Sequence, residues 1–471
     1  MLFHSPLFLF WFLPVALAVY YLCPARLKNA ALLVSGLFFY AWGDLMHVPL
    51  LLGAVALGYA GGRLLERAKD KKRLCRLLLA LLCAALGGLL FVCRYLGPLL
   101  SFANTAFGLQ LPLPGGTAPL GVGVYTLLTV AYAVQVYRGT CPAEKNILRY
   151  GAYITLFPLA IAGPLLPYGR AAETLRTGKG RVSMADVDDG LQYFIFGLAQ
   201  KLLLADNIGK LWTGIVGETA GGKPVLGGEG IGLSAVSAPL AWLAVLALAL
   251  QVYYDFSGYC AMATGLLRML GFEAIPNMDS PCAARSVTEF WCRWNITLFA
   301  WLKEYIYTPL AGAKNGLRAL AALAAAVLLG ALWYGGSGWL LLCGAWFLLF
   351  FMLEKLWLGR ILQKGRVWPR LYTLAAVLAG FVLFAAARGG GPLPLLLHRL
   401  FVPQGGQSAL YYARNYIVPL LLGLVCLTPL PGWLFGKIER LAPLRLLALL
   451  ALLAASVAYM VGGAAPFVFP L

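Results

Sequence analysis

Long apolar runs separated by short polar loops dominate the chain. They lie near residues 6–23, 30–43, 45–60, 77–100, 119–136, 190–216, 234–256, 317–334, 338–357, 371–388, 415–430 and 445–463. Most approach the ~18–20 residues that an α-helix needs to cross a bilayer. No alternating ten-residue strand pattern appears, so the spans are expected to be helical. The runs at 30–43, 45–60 and 415–430 are short, which suits tilted or partial spans. The pattern predicts an all-α polytopic membrane protein with roughly 10–12 transmembrane helices. The first run, Pro6 to Cys23, lacks a basic leading segment and a small-residue cleavage site, so it reads as a retained span.

Some stretches break the pattern. PLPGGTAPLG (112–121) is a Pro/Gly-rich loop. TLFPLAIAGPLLPYGR (155–170) is apolar but interrupted by Pro158, Gly163, Pro164 and Pro167, too broken for a straight helix. It reads as a re-entrant or interfacial element, whose backbone needs cover from protein or a water-filled cavity. PLPLLLHRLF (392–401) reads as an interfacial helix. GVG at 121–123 lacks the strand, spacing and lysine of a nucleotide loop. With no soluble domain or internal repeat in view, the chain is expected to form one transmembrane domain, 1–471, with its motif-bearing core at about 119–340.

Charge fixes an orientation. The densest basic loop, RLLERAKDKKR (63–73), extends to Arg76, and its place is the cytoplasm. The loops with Arg26 and Lys28, Arg138–Arg149, Arg360–Arg370 and Lys437–Arg445 then fall inside as well. The acidic, glycine-rich loop 217–230 falls outside, and both termini come out extracytoplasmic. The composition agrees: 61% hydrophobic and 12% charged, about half the charge of an ordinary soluble protein. The net charge of +19 sits in short loops. There it sets topology and touches an anionic lipid bilayer, so nucleic acid is not an expected partner. Ten scattered cysteines without a C-x-x-C pair support neither a disulfide framework nor a zinc site.

Polar residues inside apolar runs cost about 2.5–3.5 kcal/mol each and invite a functional reading. Asp255, in LQVYYDFSGY (250–259) with Ser257 beside it, either caps a following helix or anchors a polar cavity. RSVTEFWCRWNITLFAWLKEYIY (285–307) places Arg285, Glu289 and Arg293 four apart, so a helix would link them as ion pairs. Trp291, Trp294 and Trp301 add aromatic mass, and Lys303 and Glu304 follow. An amphipathic interfacial helix accounts for the tryptophans but less well for the charged series. In LWYGGSGW (332–339), Trp333 and Tyr334 end an apolar helix at a glycine-rich turn.

Taken in order, these segments carry a resemblance. PLGVGVYT (119–126), VYRG (136–139), FPLAIAGPLLPYGR (157–170), GLAQKLLLADN (197–207) and YYDFSGYCAMATGLLRMLGF (253–272) come first. NMDSPCAARSVTEFWCRWNITLFAWLKEYIYTPLAG (277–312) and ALWYGG (331–336) follow. The chain resembles the membrane-bound O-acyltransferase family, in its bacterial alginate O-acetyltransferase-like branch, which includes the teichoic acid D-alanyl transfer protein. FHSPLFLFWFLPVALAVYY (3–21), FFYAWGD (38–44) and PFVFPL (466–471) fit that branch.

The resemblance implies a ring of helices, with re-entrant and interfacial pieces, around a central tunnel in a bacterial cytoplasmic (inner) membrane. The tunnel would bring a cytoplasmic acyl thioester, acyl-CoA or an acyl carrier protein, to a polysaccharide or cell-envelope acceptor on the other face. An extracytoplasmic esterase-like transferase is an expected partner, and no bound cofactor or metal is expected. In the family, a histidine stands at the place of Asn295, within a W-R-R-W-H-I-S-L-like motif. Another, in L-W-H-G, stands at the place of Tyr334. This chain departs at both; Gln135 replaces an acid before VYRG, and Cys292 a basic residue.

The departures matter chemically. Attack of a hydroxyl on a thioester wants a base near neutral pH, and losing one commonly costs about 10²–10⁴-fold. Asparagine does not titrate usefully and tyrosine, near 10, is a poor base. Asn295 can still orient a carbonyl by hydrogen bonding, and Tyr334 can act as a phenolic acceptor or proton shuttle. The three histidines, His4, His47 and His398, all lie at run ends or interfaces. The candidate site is therefore Asn295 and Tyr334, with Asp255, Ser257, Arg285, Glu289, Trp291, Arg293, Trp294, Lys303 and Trp333 lining a tunnel or binding substrate. The orientation above puts Asn295 on the cytoplasmic side and Tyr334 near the outer side, so both face one tunnel only if 286–310 dips into the membrane. Three functions stay open: an active O-acyltransferase, a pseudoenzyme that binds a partner, acyl carrier or lipid, and a transporter-like tunnel.

Overall fold

A computed structural model describes residues 2–115, 118–160, 163–177, 182–216, 219–220, 223–224, 232, 235–312, 316–365, 367–387, 393–402, 405–438 and 441–462. Helix dominates it. The first helices are α1 (Phe8–Leu22), α2 (Lys28–Gly43), α3 (Leu45–Arg67), α4 (Lys72–Phe107), α5 (Val122–Arg138), α6 (Ile147–Ile154) and α7 (Tyr168–Thr177). Next come α8 (184–216), α9 (Ala238–Met269), α10 (Val287–Arg293), α11 (Ile296–Leu302), α12 (Leu317–Trp333) and α13 (Gly338–Leu362). The chain continues as α14 (Trp368–Ala387), α15 (Leu393–Phe401), α16 (Ala409–Asn415), α17 (Ile417–Cys426), α18 (Leu430–Ile438) and α19 (Ala442–Gly462).

Every predicted apolar run carries a helix. Among the described residues six helices are long and apolar enough to cross a membrane alone: α3, α4, α9, α13, α14 and α19. The pair α16 and α17, bent by 72°, makes a seventh if it counts as one span. The remaining predicted runs are shorter or more polar. Helix α1 and helix α12 are apolar but short, and α2 stops at Asp44, whose backbone leaves the helical region. Among the described residues the fold is all-α apart from a two-residue pairing of Thr219–Ala220 with Lys223–Pro224. The acidic loop 217–230 and the closing PFVFPL lie largely or wholly outside the described residues.

The chain forms two compact units: Met1–Phe194 with Cys260–Pro276, and Ile195–Tyr259 with Asn277–Pro470. The first is built on aromatic packing. Phe3, Phe8, Phe39 and Phe157 are almost fully buried and meet ring to ring. Tyr132, Tyr150, Tyr153 and Tyr168 form a second buried cluster. The stretch expected to be re-entrant or interfacial is indeed broken. A single 3₁₀ turn, Phe157–Leu159, precedes an irregular segment and α7. Leu156, Phe157, Leu159, Leu166 and Tyr168 are buried, so protein covers this backbone, as its polar groups require.

In this unit the loop after α5 is organised by Glu144, which is 3% exposed. Its carboxylate accepts hydrogen bonds from the Tyr168 hydroxyl at 2.5 Å and from the backbone N–H groups of Lys145 and Asn146 at 2.9 Å. Arg149 and Arg176 lie 3.7 Å away.

The second unit carries the candidate site. Helices α12, α13 and α14 pack in sequence. Gly344 lets α13 approach α12: a Cβ there would lie 2.6 Å from that of Ala331. Helix α12 ends at Tyr334, and Gly335 follows at φ +150°, a conformation that favours glycine.

Candidate functional site

The segment 285–311 is not one amphipathic helix. Ser286 caps α10, its hydroxyl accepting the Glu289 N–H at 2.9 Å. Helix α10 then stops at Arg293, because Trp294 is extended and Asn295 is left-handed, with φ +48°. Asparagine is among the few residues that tolerate this region. The break is pinned by Asn277. Its side-chain oxygen accepts the Thr297 N–H at 2.9 Å and the Thr297 hydroxyl at 2.8 Å, and its amide donates to Asn295 Oδ1 at 3.2 Å. Helix α11 restarts at Ile296 and passes through a π turn, Lys303–Tyr307.

The break aims two donors at one oxygen. Trp294 Nε1 donates to the Tyr334 hydroxyl at 3.1 Å, and Asn295 Nδ2 donates to it at 3.3 Å. Trp294 is 4% exposed and Asn295 6%. Phe256 and Phe290 stack on Trp294 and hold its plane, with centroids at 5.4 and 5.8 Å. Asn295 and Tyr334, which the loop charges put towards opposite faces unless 286–310 dips into the membrane, are thus in direct contact. Ending α10 at a left-handed residue turns the chain inwards, and the two side chains meet.

They meet in the wall of a cavity of about 350 Å³. Trp291, Trp294, Asn295, Lys303 and Tyr334 line it; the rest is mainly apolar residues of α11 to α14, with Cys292 and Cys343 also present. Among the described lining residues there is no His, Asp or Glu. A second, more polar cavity of about 550 Å³ adjoins it, sharing Thr288, Phe299, Tyr307, Leu323 and Phe351. Arg285, Glu289, Glu354, Lys355 and Gln363 line that one.

Other expected residues stand elsewhere. Asp255, Ser257, Arg293 and Trp333 line neither cavity. Asp255 lies mid-helix in α9, so it caps nothing; it is fully buried against Lys201 Nζ at 2.6 Å. The expected Arg285–Glu289–Arg293 series is half present. Glu289 pairs with Arg293 at 2.7 Å, but Arg285 gives Glu289 only its backbone N–H, at 2.8 Å, because it precedes the helix start. The histidines stay away from both cavities. His4 is 2% exposed, His47 bonds Asp44 at 2.7 Å, and His398 lies on α15.

Sequence reasoning missed Glu354 and Asn277. Glu354 is 7% exposed. It accepts hydrogen bonds from Val287 N–H at 2.6 Å, Thr288 N–H at 2.9 Å, the Thr288 hydroxyl at 2.6 Å and the Tyr372 hydroxyl at 3.3 Å. It therefore docks the start of α10, the helix that delivers Trp294 and Asn295. A lone acid closing the apolar run 338–357 was a usable signal. Asn277, in a polar loop, gave none.

Comparison with known proteins places this architecture. The model of the MBOAT, membrane-bound O-acyltransferase family, matches residues 236–387. A probable alginate O-acetylase of Pseudomonas putida is 32% identical over 394 residues, covering 82% of this chain and 77% of the relative. The chain belongs to the membrane-bound O-acyltransferase family. Within the family it is similar to a peptidoglycan O-acetyltransferase of Helicobacter pylori, 29% identical over 372 residues, 72% of this chain and 67% of that one. A teichoic acid D-alanyltransferase of Streptococcus thermophilus is 21% identical over 193 residues, 41% of this chain and 44% of that one. The family segment, 236–387, contains every residue lining the two cavities. With its apolar helices, this member of the family is an integral membrane protein.

Proposed function

We propose that this membrane-bound O-acyltransferase works in the cytoplasmic membrane of a bacterium. It takes the acyl end of a thioester into the cavity between Asn295 and Tyr334 and moves that acetyl-like group towards a polysaccharide or other cell-envelope acceptor. The relatives' names support the acceptor class. One observation carries the reading: two residues 39 positions apart, each at a family motif, hydrogen-bond in the wall of one apolar cavity. In the adjoining polar cavity Glu289 is paired with Arg293 and Glu354 is bonded to the start of α10, which leaves Arg285 and Lys355 to meet the anionic carrier part of acyl-CoA or an acyl carrier protein. An extracytoplasmic esterase-like transferase would complete delivery.

The transfer joins the acceptor oxygen to the acyl carbon, breaks the carbon–sulfur bond and gives the hydroxyl proton to the thiolate. Trp294 and Asn295 converge on the Tyr334 oxygen. A thioester carbonyl beside the Tyr334 hydroxyl would take over one or both of these donors, as an oxyanion does, leaving the phenol next to the reacting carbon. Tyr334 is then the group that relays the proton.

Binding without turnover is the second reading. It is favoured by a cavity wall with no imidazole or carboxylate among its described residues. Purified protein in lipid nanodiscs, given a labelled acetyl thioester, separates the readings. Turnover abolished by Tyr334→Phe or Asn295→Ala supports transfer. Binding without turnover, with turnover appearing in Asn295→His/Tyr334→His, supports the pseudoenzyme. Thioester flux across vesicles without acylation supports the tunnel. No binding at all overturns the first two.

A further inference from the structure

A second buried polar group lies within the unit that carries the cavities. Helix α8 is interrupted by a π-helical stretch, Gln200–Ala205, the kind of bulge that often marks functional positions. It carries Lys201, whose Nζ bridges two carboxylates: Asp255 on α9 at 2.6 Å and Asp206 on α8 at 2.7 Å. Lys201 and Asp255 are fully buried, while the Asp206 side chain is 11% exposed. Helix α9 approaches closely here because residue 258 is glycine. A Cβ at that position would lie 2.7 Å from the Gly197 carbonyl oxygen and 3.0 Å from Lys201 N.

Charge counting gives the inference. One ammonium against two carboxylates leaves one net negative charge when all three are ionised. A net charge held out of water is strongly unfavourable, and such a group neutralises instead. The seam has a further acceptor. Gln251, one turn before Asp255 on the same face of α9, is 1% exposed and packs on Gly209, one turn after Asp206. Its Oε1 has no hydrogen-bond partner among the described residues. Tyr259, one turn after Asp255, is 2% exposed.

Among the described residues no lysine or arginine other than Lys201 is buried. Lys210, one turn beyond Asp206, is exposed, with its Nζ 4.8 Å from the Tyr459 ring centroid. Helix α17 brings only Cys426 as a titratable group, α18 brings Lys437 on the Trp433 ring at 3.7 Å, and α19 brings Arg445 and Tyr459. Tyr416 stands between α16 and α17.

We infer that Lys201, Asp206 and Asp255 form a proton-binding site, in which a proton from water adds to a carboxylate oxygen and is exchanged through the exposed edge of Asp206. The added O–H bond takes the group from one net negative charge to neutral. The inference is independent of acyl transfer. The site also lies beside the cavity. Asp255 is next to Phe256, which stacks on Trp294, and Val252, one turn away, lines the cavity wall.

Infrared spectroscopy of the full-length protein in nanodiscs tests this directly. At neutral pH a protonated-carboxyl C=O stretch is expected, shifting in heavy water. Asp206→Asn and Asp255→Asn should each remove it, since either leaves a neutral one-to-one pair with Lys201. Lys201→Met should strengthen it, because both carboxyls then hold protons. No such band in the wild-type protein would overturn the inference. So would a band left intact by both asparagine variants, which would assign it to another carboxyl such as Glu354.

Discussion

Glu354→Ala removes the carboxylate that seats α10. It strands the Val287 and Thr288 N–H groups and the Thr288 hydroxyl, now bonded at 2.6–2.9 Å. A stranded buried donor costs about 1–3 kcal/mol. The adjoining polar cavity lets water relieve part of this, so about 1 kcal/mol each is the reasonable figure, or roughly 3 kcal/mol together. Tyr372, at 3.3 Å, adds little. At 1.4 kcal/mol per tenfold, exchange of the amides around 287–295 should accelerate by about 10²-fold. Glu354→Gln keeps an acceptor but loses the charge, so it should accelerate the same amides by roughly tenfold. Hydrogen exchange read by mass spectrometry on peptides covering 285–295 makes the measurement, with first-unit peptides as internal controls. If Glu354→Ala leaves exchange in that segment unchanged, Glu354 does not hold the helix that positions Trp294 and Asn295.

Other outcomes follow from the same geometry. Asn277→Ala removes three hydrogen bonds around the break before α11 and should lower stability by roughly 2–4 kcal/mol, read as a fall in thermal unfolding temperature. Asn295→Ala should cost about 1–2 kcal/mol from its left-handed backbone alone. Asn295→Gly should restore that stability without restoring thioester binding, a split that equilibrium unfolding and binding together would reveal. In the first unit, burial pushes the Glu144 carboxyl up, but the Tyr168 hydrogen bond, two backbone N–H groups and Arg149 outweigh it and hold the carboxyl below its ordinary value. Its stabilising contribution is therefore present above the unfolded carboxylate's pKa and lost as pH falls through the lower folded value. Glu144→Gln should flatten that acid-limb loss in an unfolding titration; an unchanged slope would assign the loss to other groups.

Much of the fold was legible because hydropathy reports burial in lipid directly. All the apolar runs became helices, and the prolines and Gly163 marked the broken stretch before α7. The site was only partly legible. Trp291, Trp294, Asn295, Lys303 and Tyr334 were singled out and share one cavity. Asn295 and Tyr334 were paired as one site, but their direct contact was hidden because it depends on a single left-handed residue, which periodicity does not register. Asp255 was noticed as a misplaced charge, yet its partner Lys201 was not, since composition reveals an unfavourable group but not which group neutralises it. Arg285 looked like part of a helical ion-pair row until Ser286 set the helix start one residue later.

Everything functional rests on the acyl group entering the cavity shared by Asn295 and Tyr334. A photoreactive acyl thioester, crosslinked to the intact protein in nanodiscs and mapped by mass spectrometry, addresses this most directly. Crosslinks should fall on the peptides bearing Trp291, Trp294 and Tyr334 and vanish when unlabelled thioester competes. Crosslinks confined to other helices, or indifferent to competitor, would contradict the account.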